Sequence, residues 1–172
     1  MEIRPAQATE TAGLKEFILS HGINSWNYLS DEELSHHLEA LRSGEILAFV
    51  AEVEDRIVGV ASCGVGHRFD HYKDDADCGS MHGIISEVVV AEEWCRRGIG
   101  TELLRHCCIQ LRAKDITRIY VERHEENKAS AGMMAKAGFQ VIDTFHDPDR
   151  RSCGSLNTSV SRFDWTHPNT PW

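Results

Sequence analysis

One stretch of this chain decides its fold, because it joins an apolar strand to a helix that starts on glycine. It reads Val88-Val89-Val90-Ala91-Glu92-Glu93-Trp94-Cys95-Arg96-Arg97-Gly98-Ile99-Gly100. The valine run predicts the end of a buried strand, and apolar residues at helical spacing after Gly98 predict an amphipathic helix. A helix N-terminus offers unpaired N–H groups and the positive end of the helix dipole. Since glycine lets a bulky group approach the backbone, the stretch predicts an anion cradle suited to a pyrophosphate.

Two familiar phosphate motifs do not occur in the chain. There is no GxxxxGK[ST] nucleotide-triphosphate loop and no GxGxxG dinucleotide fingerprint. The two glycines also fit a simpler interpretation, a tight helix-capping turn flanked by surface arginines. Glycine spacing alone does not separate the cradle from the cap.

The remaining sequence alternates between strand and helix patterns. Apolar runs bounded by turn residues predict strands at 3–6, 46–53, 57–63, 84–90, 116–122, 139–145 and 159–165. Helices are predicted at 12–20, between a capping box at Ser30 and Glu33 and a terminal Gly44, and at 127–137. The helix after Gly98 carries a stripe made of Ile99, Leu103, Cys107 and Leu111. Strands and helices mixed in this way indicate an α/β sheet covered by helices.

Composition limits the class of protein. The 172 residues are 41% apolar, which fits one domain, expected over 1–165 with a flexible tail at 166–172. A formal net charge of −9 argues against a nucleic-acid module, because phosphates would be repelled. No apolar run is long enough to span a membrane, and no signal-peptide pattern opens the sequence. We therefore expect a cytoplasmic protein whose six cysteines are reduced thiols.

Two motifs on the expected elements resemble one known family. The run from Val88 to Val90, four further residues and Cys95-Arg96-Arg97-Gly98-Ile99-Gly100 resemble the [RQ]xxGxG acetyl-CoA motif of the GNAT N-acetyltransferase superfamily. Downstream, Asn127-Lys128-Ala129-Ser130 and Lys136-Ala137-Gly138-Phe139 resemble its NxxAxxxYxKxGF segment. The resemblance implies an α/β, GNAT-like fold with a mixed, mostly antiparallel central sheet flanked by helices on both faces. It also implies direct transfer of the acetyl group of acetyl-CoA to a primary amine of a small molecule or peptide.

The resemblance further implies which residues hold acetyl-CoA. Loop N–H groups bind the pyrophosphate in this family, and here they follow Cys95 and belong to Arg96, Arg97, Gly98, Ile99, Gly100 and Thr101. The backbone of Val88 and Val90 pairs with the pantetheine arm. An N–H of Val89 or Val90 polarises the thioester carbonyl as an oxyanion donor. Asn127 and Ser130 contact the cofactor from the next helix. A plain N-cap is the alternative interpretation of Asn127, and the two roles need not exclude each other.

Two positions depart from the family pattern. Cys95 stands where the motif has Arg or Gln, and Arg96 or Arg97 is expected to compensate. Met134 stands where many relatives carry a Tyr that protonates the leaving sulfur, and Met cannot donate a proton. Either another donor from Tyr120, Glu122 and His124 serves, or the chain is a non-catalytic acyl-CoA-binding module or sensor. No acyl-cysteine intermediate is required, because a deprotonated amine is a sufficient nucleophile.

An amine acceptor needs a base, because an amine with a pKa of about 10 is mostly protonated at neutral pH. Glu87 is the first candidate, since it lies on the central strand beside the expected thioester. A rim carboxylate or a strand-end ion pair is the alternative interpretation of Glu87. Glu122 and His124 are further candidates, although His124 also fits a surface loop histidine.

The segment 66–79, which follows the strand predicted at 57–63, is rich in His and Asp and is predicted to be a loop. His67, His71, Cys78 and His82 have metal-ligand spacing, but neighbouring glycines argue against the helix that such a site requires, so no metal is expected. The segment is interpreted instead as a loop over the acceptor pocket. Its carboxylates suit a cationic acceptor, and they belong to Asp70, Asp74, Asp75 and Asp77. A homodimer formed through exposed final strands stays open.

Overall fold

The computed structural model describes residues 1–27, 30–72 and 80–165. Within these residues the chain forms seven strands and four α-helices, in the order that the sequence patterns predict. The strands are β1 Glu2–Pro5, β2 Leu47–Val53, β3 Arg56–Gly66, β4 His82–Val90, β5 Arg118–His124, β6 Gln140–His146 and β7 Asn157–Asp164. The helices are α1 Thr11–Gly22, α2 Asp31–Ser43, α3 Ile99–Arg112 and α4 Lys128–Lys136. The tail at 166–172 lies outside the described residues.

All seven described strands form one sheet in the order β1-β2-β3-β4-β5-β7-β6. Only β4 and β5 are parallel neighbours within it, and the other pairs are antiparallel. A parallel pair needs a long crossover connection, and α3 supplies it between β4 and β5. The expected mixed, mostly antiparallel sheet is confirmed.

Helices cover both faces of the sheet. Successive strand residues point to opposite faces, so Val50, Val60 and Val89 pack with α1 and α2. Their chain neighbours Phe49 and Ala61 pack with α3 and α4 on the other face. The predicted apolar stripe of α3 is fully buried in that second core. Among the described helices, none is long and apolar enough to cross a membrane.

Local signals in the sequence are reproduced at the ends of α2. The Ser30 hydroxyl accepts the Glu33 N–H, and the Glu33 carboxylate accepts the Ser30 N–H. Gly44 ends the helix with a φ of 77°, a left-handed conformation that glycine adopts without strain. The predicted capping box and terminal glycine are therefore both confirmed.

Two boundaries predicted from the sequence are wrong. Strand β4 begins two residues earlier than predicted, at His82, whose buried ring accepts the Phe69 N–H at 3.0 Å. Residues 73–79 lie outside the described residues. Strand β5 starts later than predicted and continues to His124, so His124 belongs to a strand and not to a surface loop.

We expect Gly83→Ala to lower the free energy of unfolding by about 1–3 kcal/mol, the usual cost of overpacking a core. An added Cβ would lie 2.7 Å from Leu111 Cδ1 and 3.0 Å from Ile119 Cγ1. Gly13→Ala in α1 is the matched control, since its Cβ meets nothing within 4 Å. Alanine is the better helix former, so the control is expected to be neutral or stabilising. Urea denaturation of both variants measures the difference, and equal stability would contradict the packing at Gly83.

Candidate active site

The two parallel strands separate halfway along their length. Their register joins Gly83 to Ile119 and ends with Ile85 and Val121, and no further pair forms between these fully described strands. At the same point β4 has a bulge, because Ser62 pairs with Glu87 while Cys63 pairs with Ile85, which leaves Ser86 as the extra residue. A bulge bends its strand and increases the local twist. The result is a gap between the β4 and β5 C-terminal halves, within a cleft of about 2030 Å³.

The pairing of β4 with β3 determines which backbone groups face this gap. The Ala91 N–H donates to the Val58 carbonyl at 3.0 Å, so these two residues form a hydrogen-bonded pair. Pairs alternate along an antiparallel ladder, so Val89 also faces β3, whereas Val88 and Val90 face the gap. The expectation that Val89 supplies an oxyanion donor is therefore wrong, because its N–H points away from the gap. The N–H of Val90 remains the candidate oxyanion donor.

An anion cradle lies at the mouth of the gap. Gly98 is the N-cap of α3 with a φ of 85°, and no side chain caps the helix. Glu102 is the first residue of the helix whose N–H meets a helix carbonyl, that of Gly98 at 3.0 Å. The preceding N–H groups of Ile99, Gly100 and Thr101 therefore have no acceptor within the helix. Gly100 also permits close helix packing, since a Cβ there would lie 2.4 Å from Met133 Sδ.

The side chains around the cradle differ in availability. Arg97 lies over the Trp94 ring at 4.6 Å and donates to the Glu93 carbonyl at 3.2 Å. The exposed Cys95 thiol is directed toward the Ala91 carbonyl, 3.6 Å away. Arg96 is exposed and forms no hydrogen bond within the described part of the chain. Arg96 is thus the guanidinium that remains available to an anion.

Helix α4 closes the opposite side of the gap. Asn127 Oδ1 accepts the Ser130 N–H at 3.0 Å, which confirms Asn127 as an N-cap. Met134 is 5% exposed and packs in the core shared with α3, while its surface still lines the cleft. No proton donor therefore occupies the position where relatives carry tyrosine.

Glu87 lies half-buried in the cleft on the face that α1 and α2 cover. Burial, together with the negative charge of Glu33, raises the pKa of its carboxyl to about 7. The Glu87 N–H donates to the Ser62 hydroxyl at 3.2 Å, and this hydroxyl lies 3.0 Å from His37 Nε2. Ser62 thus supplies an acceptor where the bulge interrupts the ladder, and it holds Glu87 in place.

The other predicted acid–base residues are engaged elsewhere. Glu122 Oε2 accepts hydrogen bonds from Arg68 and, at 2.9 Å, from Arg150. His124 is 2% exposed, its Nε2 lies 2.9 Å from the Cys153 carbonyl, and its Nδ1 accepts the Glu126 N–H at 3.1 Å. Both ring nitrogens are occupied, so the geometry gives His124 a structural role. Tyr120 is fully buried against Phe69 and does not line the cleft.

Several cleft residues escaped the sequence analysis. Trp26, His37, Arg68 and Arg150 line the cleft together with Glu87 and Glu122. They come from separate connections and from α2, and no motif or spacing marks them. Within residues 1–27, 30–72 and 80–165, no group of three His, Cys, Asp or Glu side chains is placed to hold a metal ion. Cys78, Asp74, Asp75 and Asp77, which entered the metal and acceptor-loop interpretations, lie outside the described residues.

Comparison with protein families decides the relationship. The model described as the Acetyltransferase (GNAT) family matches residues 13–139, well over half of the chain. This chain belongs to the GNAT acetyltransferase family. A comparison with curated protein sequences finds no match.

Solved structures share the GNAT fold of this chain. An N-acetyltransferase from Staphylococcus aureus Mu50 has a TM-score of 0.75 at 18% identity, with 96% of this chain and 98% of that chain covered. A ribosomal-protein-alanine N-acetyltransferase from Brucella melitensis has a TM-score of 0.72 at 23% identity, with 95% and 99% covered. The protein yncA from Salmonella typhimurium, whose structure includes its cofactor acetyl-CoA, has a TM-score of 0.70 at 20% identity, with 100% and 98% covered.

We expect Ser62→Ala to loosen the bulge of this GNAT protein, because the buried Glu87 N–H loses its acceptor. An unsatisfied buried donor costs about 1–3 kcal/mol, and hydrogen exchange at the Glu87 amide should accelerate. The matched control is Ser159→Ala on β7. It removes a buried hydroxyl that lies 3.0 Å from Thr144 Oγ1 on β6. Amide exchange followed by NMR compares them. An unchanged rate at Glu87 in the Ser62 variant would contradict the role of Ser62.

Proposed function

We propose that this GNAT protein is an N-acetyltransferase that moves the acetyl group of acetyl-CoA directly to a primary amine of a small molecule or peptide. The observation that carries the proposal is the gap between β4 and β5, which opens onto the uncapped start of α3. An extended chain fits along the open edge of β4, and an anion fits at the helix start. The two features together match a pantetheine arm that ends in a pyrophosphate.

The co-substrate is acetyl-CoA, which supplies the acetyl group as a thioester. The backbone N–H groups of 96–101 hold its pyrophosphate, with the guanidinium of Arg96 compensating for Cys95. The backbone groups of Val88 and Val90 that face the gap bind the pantetheine amides. Asn127 keeps its Nδ2 donors for the cofactor, because its Oδ1 caps α4. Ser130 lines the cleft beside it.

The residues at the gap account for the transfer step. Glu87, with a pKa of about 7, takes the proton of the ammonium group directly or through water. The nitrogen forms a bond to the acetyl carbon, the carbon–sulfur bond breaks, and the electron pair leaves with the sulfur. The surplus proton on the nitrogen then passes to the thiolate or to water. The Val90 N–H stabilises negative charge on the carbonyl oxygen. A thiol with a pKa of about 8.5 leaves without a tyrosine donor, at a reduced rate.

A second candidate function is a non-catalytic acyl-CoA-binding module or sensor. The observation that favours it is Met134, which is buried in the core at the position of the usual proton donor. Turnover separates the two candidates. Tight binding of acetyl-CoA without CoA release on any amine would select the sensor.

The peptide branch of the proposal has some support among the structural neighbours. The Brucella melitensis protein is a ribosomal-protein-alanine N-acetyltransferase, at 23% identity. A fold shared at this identity leaves the acceptor of the present chain undetermined, because one scaffold serves many acceptors.

Gly98→Asp is expected to weaken CoA binding about 10- to 100-fold, because it places a carboxylate where the pyrophosphate binds. The space beside Gly98 is open, with nothing within 4 Å of an added Cβ. Gly98→Asn is the matched control, since Asn and Asp both tolerate a positive φ and differ in charge. Calorimetric titration with CoA measures both variants. Equal affinities of the two variants would mean that the pyrophosphate binds elsewhere.

We expect kcat/KM for amine acetylation to rise with pH through an inflection near 7, because Glu87 accepts a proton only when ionised. Glu87→Gln should lower the rate about 100- to 10,000-fold. Glu33→Gln should move the inflection to lower pH, since removal of a nearby negative charge favours ionisation. Glutamine preserves the capping box. Glu39→Gln, on the exposed side of α2, is the control and should leave the profile unchanged.

A further inference from the structure

The acceptor end of the cleft has two walls that differ in charge. The wall formed by β4 and α2 carries Glu87, Glu33 and His37. Burial lowers the pKa of the His37 imidazole, which favours its neutral form. The opposite wall carries two arginines that converge on Glu122 of β5. The two arginines come from segments far apart in sequence, Arg68 after β3 and Arg150 between β6 and β7.

This arginine pair has more positive charge than its carboxylate neutralises. Arg68 and Arg150 are 50% and 45% exposed, whereas Glu122 beneath them is only 10% exposed. Asp147 adds a contact to Arg150 at 3.6 Å, but it also accepts from the Thr158 hydroxyl at 2.6 Å and lies next to Arg151. The two exposed arginines of the pair thus share one nearly buried carboxylate, and Glu33 on the opposite wall also lies close enough to Arg150 for the two charges to attract.

Toward residues 1–27, 30–72 and 80–165, the pair also keeps unused hydrogen-bond donors. Within these ranges Arg68 donates to Glu122 through Nη2 alone, and Arg150 uses Nη1 alone for its contacts with Glu122 and Asp147. Asp149 lines the cleft as an exposed side chain and forms no ion pair with either arginine among the described residues. A guanidinium offers five N–H groups in a planar fork that matches a carboxylate. Two partly used forks at one site therefore form a receptor for an anionic group.

We propose that the acceptor is a free amino acid, whose carboxylate binds Arg68 and Arg150 and whose amine faces Glu87. This assignment rests on the proposed acetyl transfer. A chain with a net charge of −9 repels carboxylates in general, so a local positive pair is what admits one. The carboxylate of the acceptor then anchors the amine on the side of the base. A peptide N-terminus lacks a carboxylate beside its amine and gains nothing from this pair.

The test compares pairs of acceptors in which one member has an anionic group, a carboxylate or a phosphate, and the other lacks it. The probes are L-phenylalanine with L-phenylalaninamide, L-methionine with 3-(methylthio)propylamine, and phosphoethanolamine with ethanolamine, each followed by CoA release. We expect the amino acid to show a kcat/KM about 10- to 100-fold above that of the partner without the carboxylate, which is the effect of charge-assisted hydrogen bonds. The amide comparison is stringent, because the amine of an amino acid amide loses its proton more readily than that of the acid.

Variants then locate the preference. Arg150→Gln and Arg68→Gln should each raise the KM for the amino acid about 10-fold or more. Neither variant should change the KM for the partner that lacks the carboxylate. Arg150→Lys should recover part of the loss, because it restores the charge without the fork. Arg42→Gln, an exposed arginine of α2 paired with Glu39, is the matched control. A thermal melt of each variant shows that a change in KM is not a loss of folding.

The outcomes separate this inference from the proposed function. Equal turnover of acceptors with and without the carboxylate overturns the amino-acid assignment and leaves acetyl transfer intact. A preference for the carboxylate that survives both Gln variants has the same consequence. A preference confined to phosphoethanolamine overturns the carboxylate in favour of a phosphate. Absence of CoA release with every amine, while acetyl-CoA still binds, overturns the proposed function itself.

Discussion

The rest of the structure depends on one interruption in backbone pairing, the bulge at Ser86 of β4. Strands that remain parallel and fully paired have no free edge inside a sheet, and a free edge is what an extended ligand requires. The bulge ends the pairing of β4 with β5 and leaves the backbone of Val88 and Val90 unpaired on one side. Helix α3 follows directly, so its positive end lies at the mouth of the same gap.

The interruption is stabilised from outside the strand. The Ser62 hydroxyl accepts the Glu87 N–H in the place of a ladder carbonyl, and His37 of α2 contacts that hydroxyl. The cleft wall that carries Glu122 and His124 of β5 is held in a similar way. The Cys153 thiol donates to the Ser25 carbonyl at 2.7 Å, and His124 lies between Trp26 and the Cys153 backbone. Residues with reactive side chains thus serve here as structural contacts.

Much of the fold could be predicted because its signals are local. The α2 capping box, Gly44 and the buried stripe of α3 each follow from residues within a few positions of one another. The predicted end of β5 failed at His124, because its burial depends on Trp26 and Cys153, which are distant in sequence. The sequence leaves open whether the N–H of Val89 or that of Val90 faces the gap for the same reason, since the phase of the β3–β4 ladder decides it.

The sequence by itself determined the order of strands and helices, the glycine-started helix and the family resemblance, since periodicity and short motifs are properties of neighbouring residues. Only the tertiary structure decided where β4 and β5 part, which backbone groups face the gap and which carboxylate lies half-buried beside it. It also brought Arg68 and Arg150 onto one carboxylate from separate loops. The physical reason is that pairing register, burial and charge contacts arise between segments that are far apart along the chain.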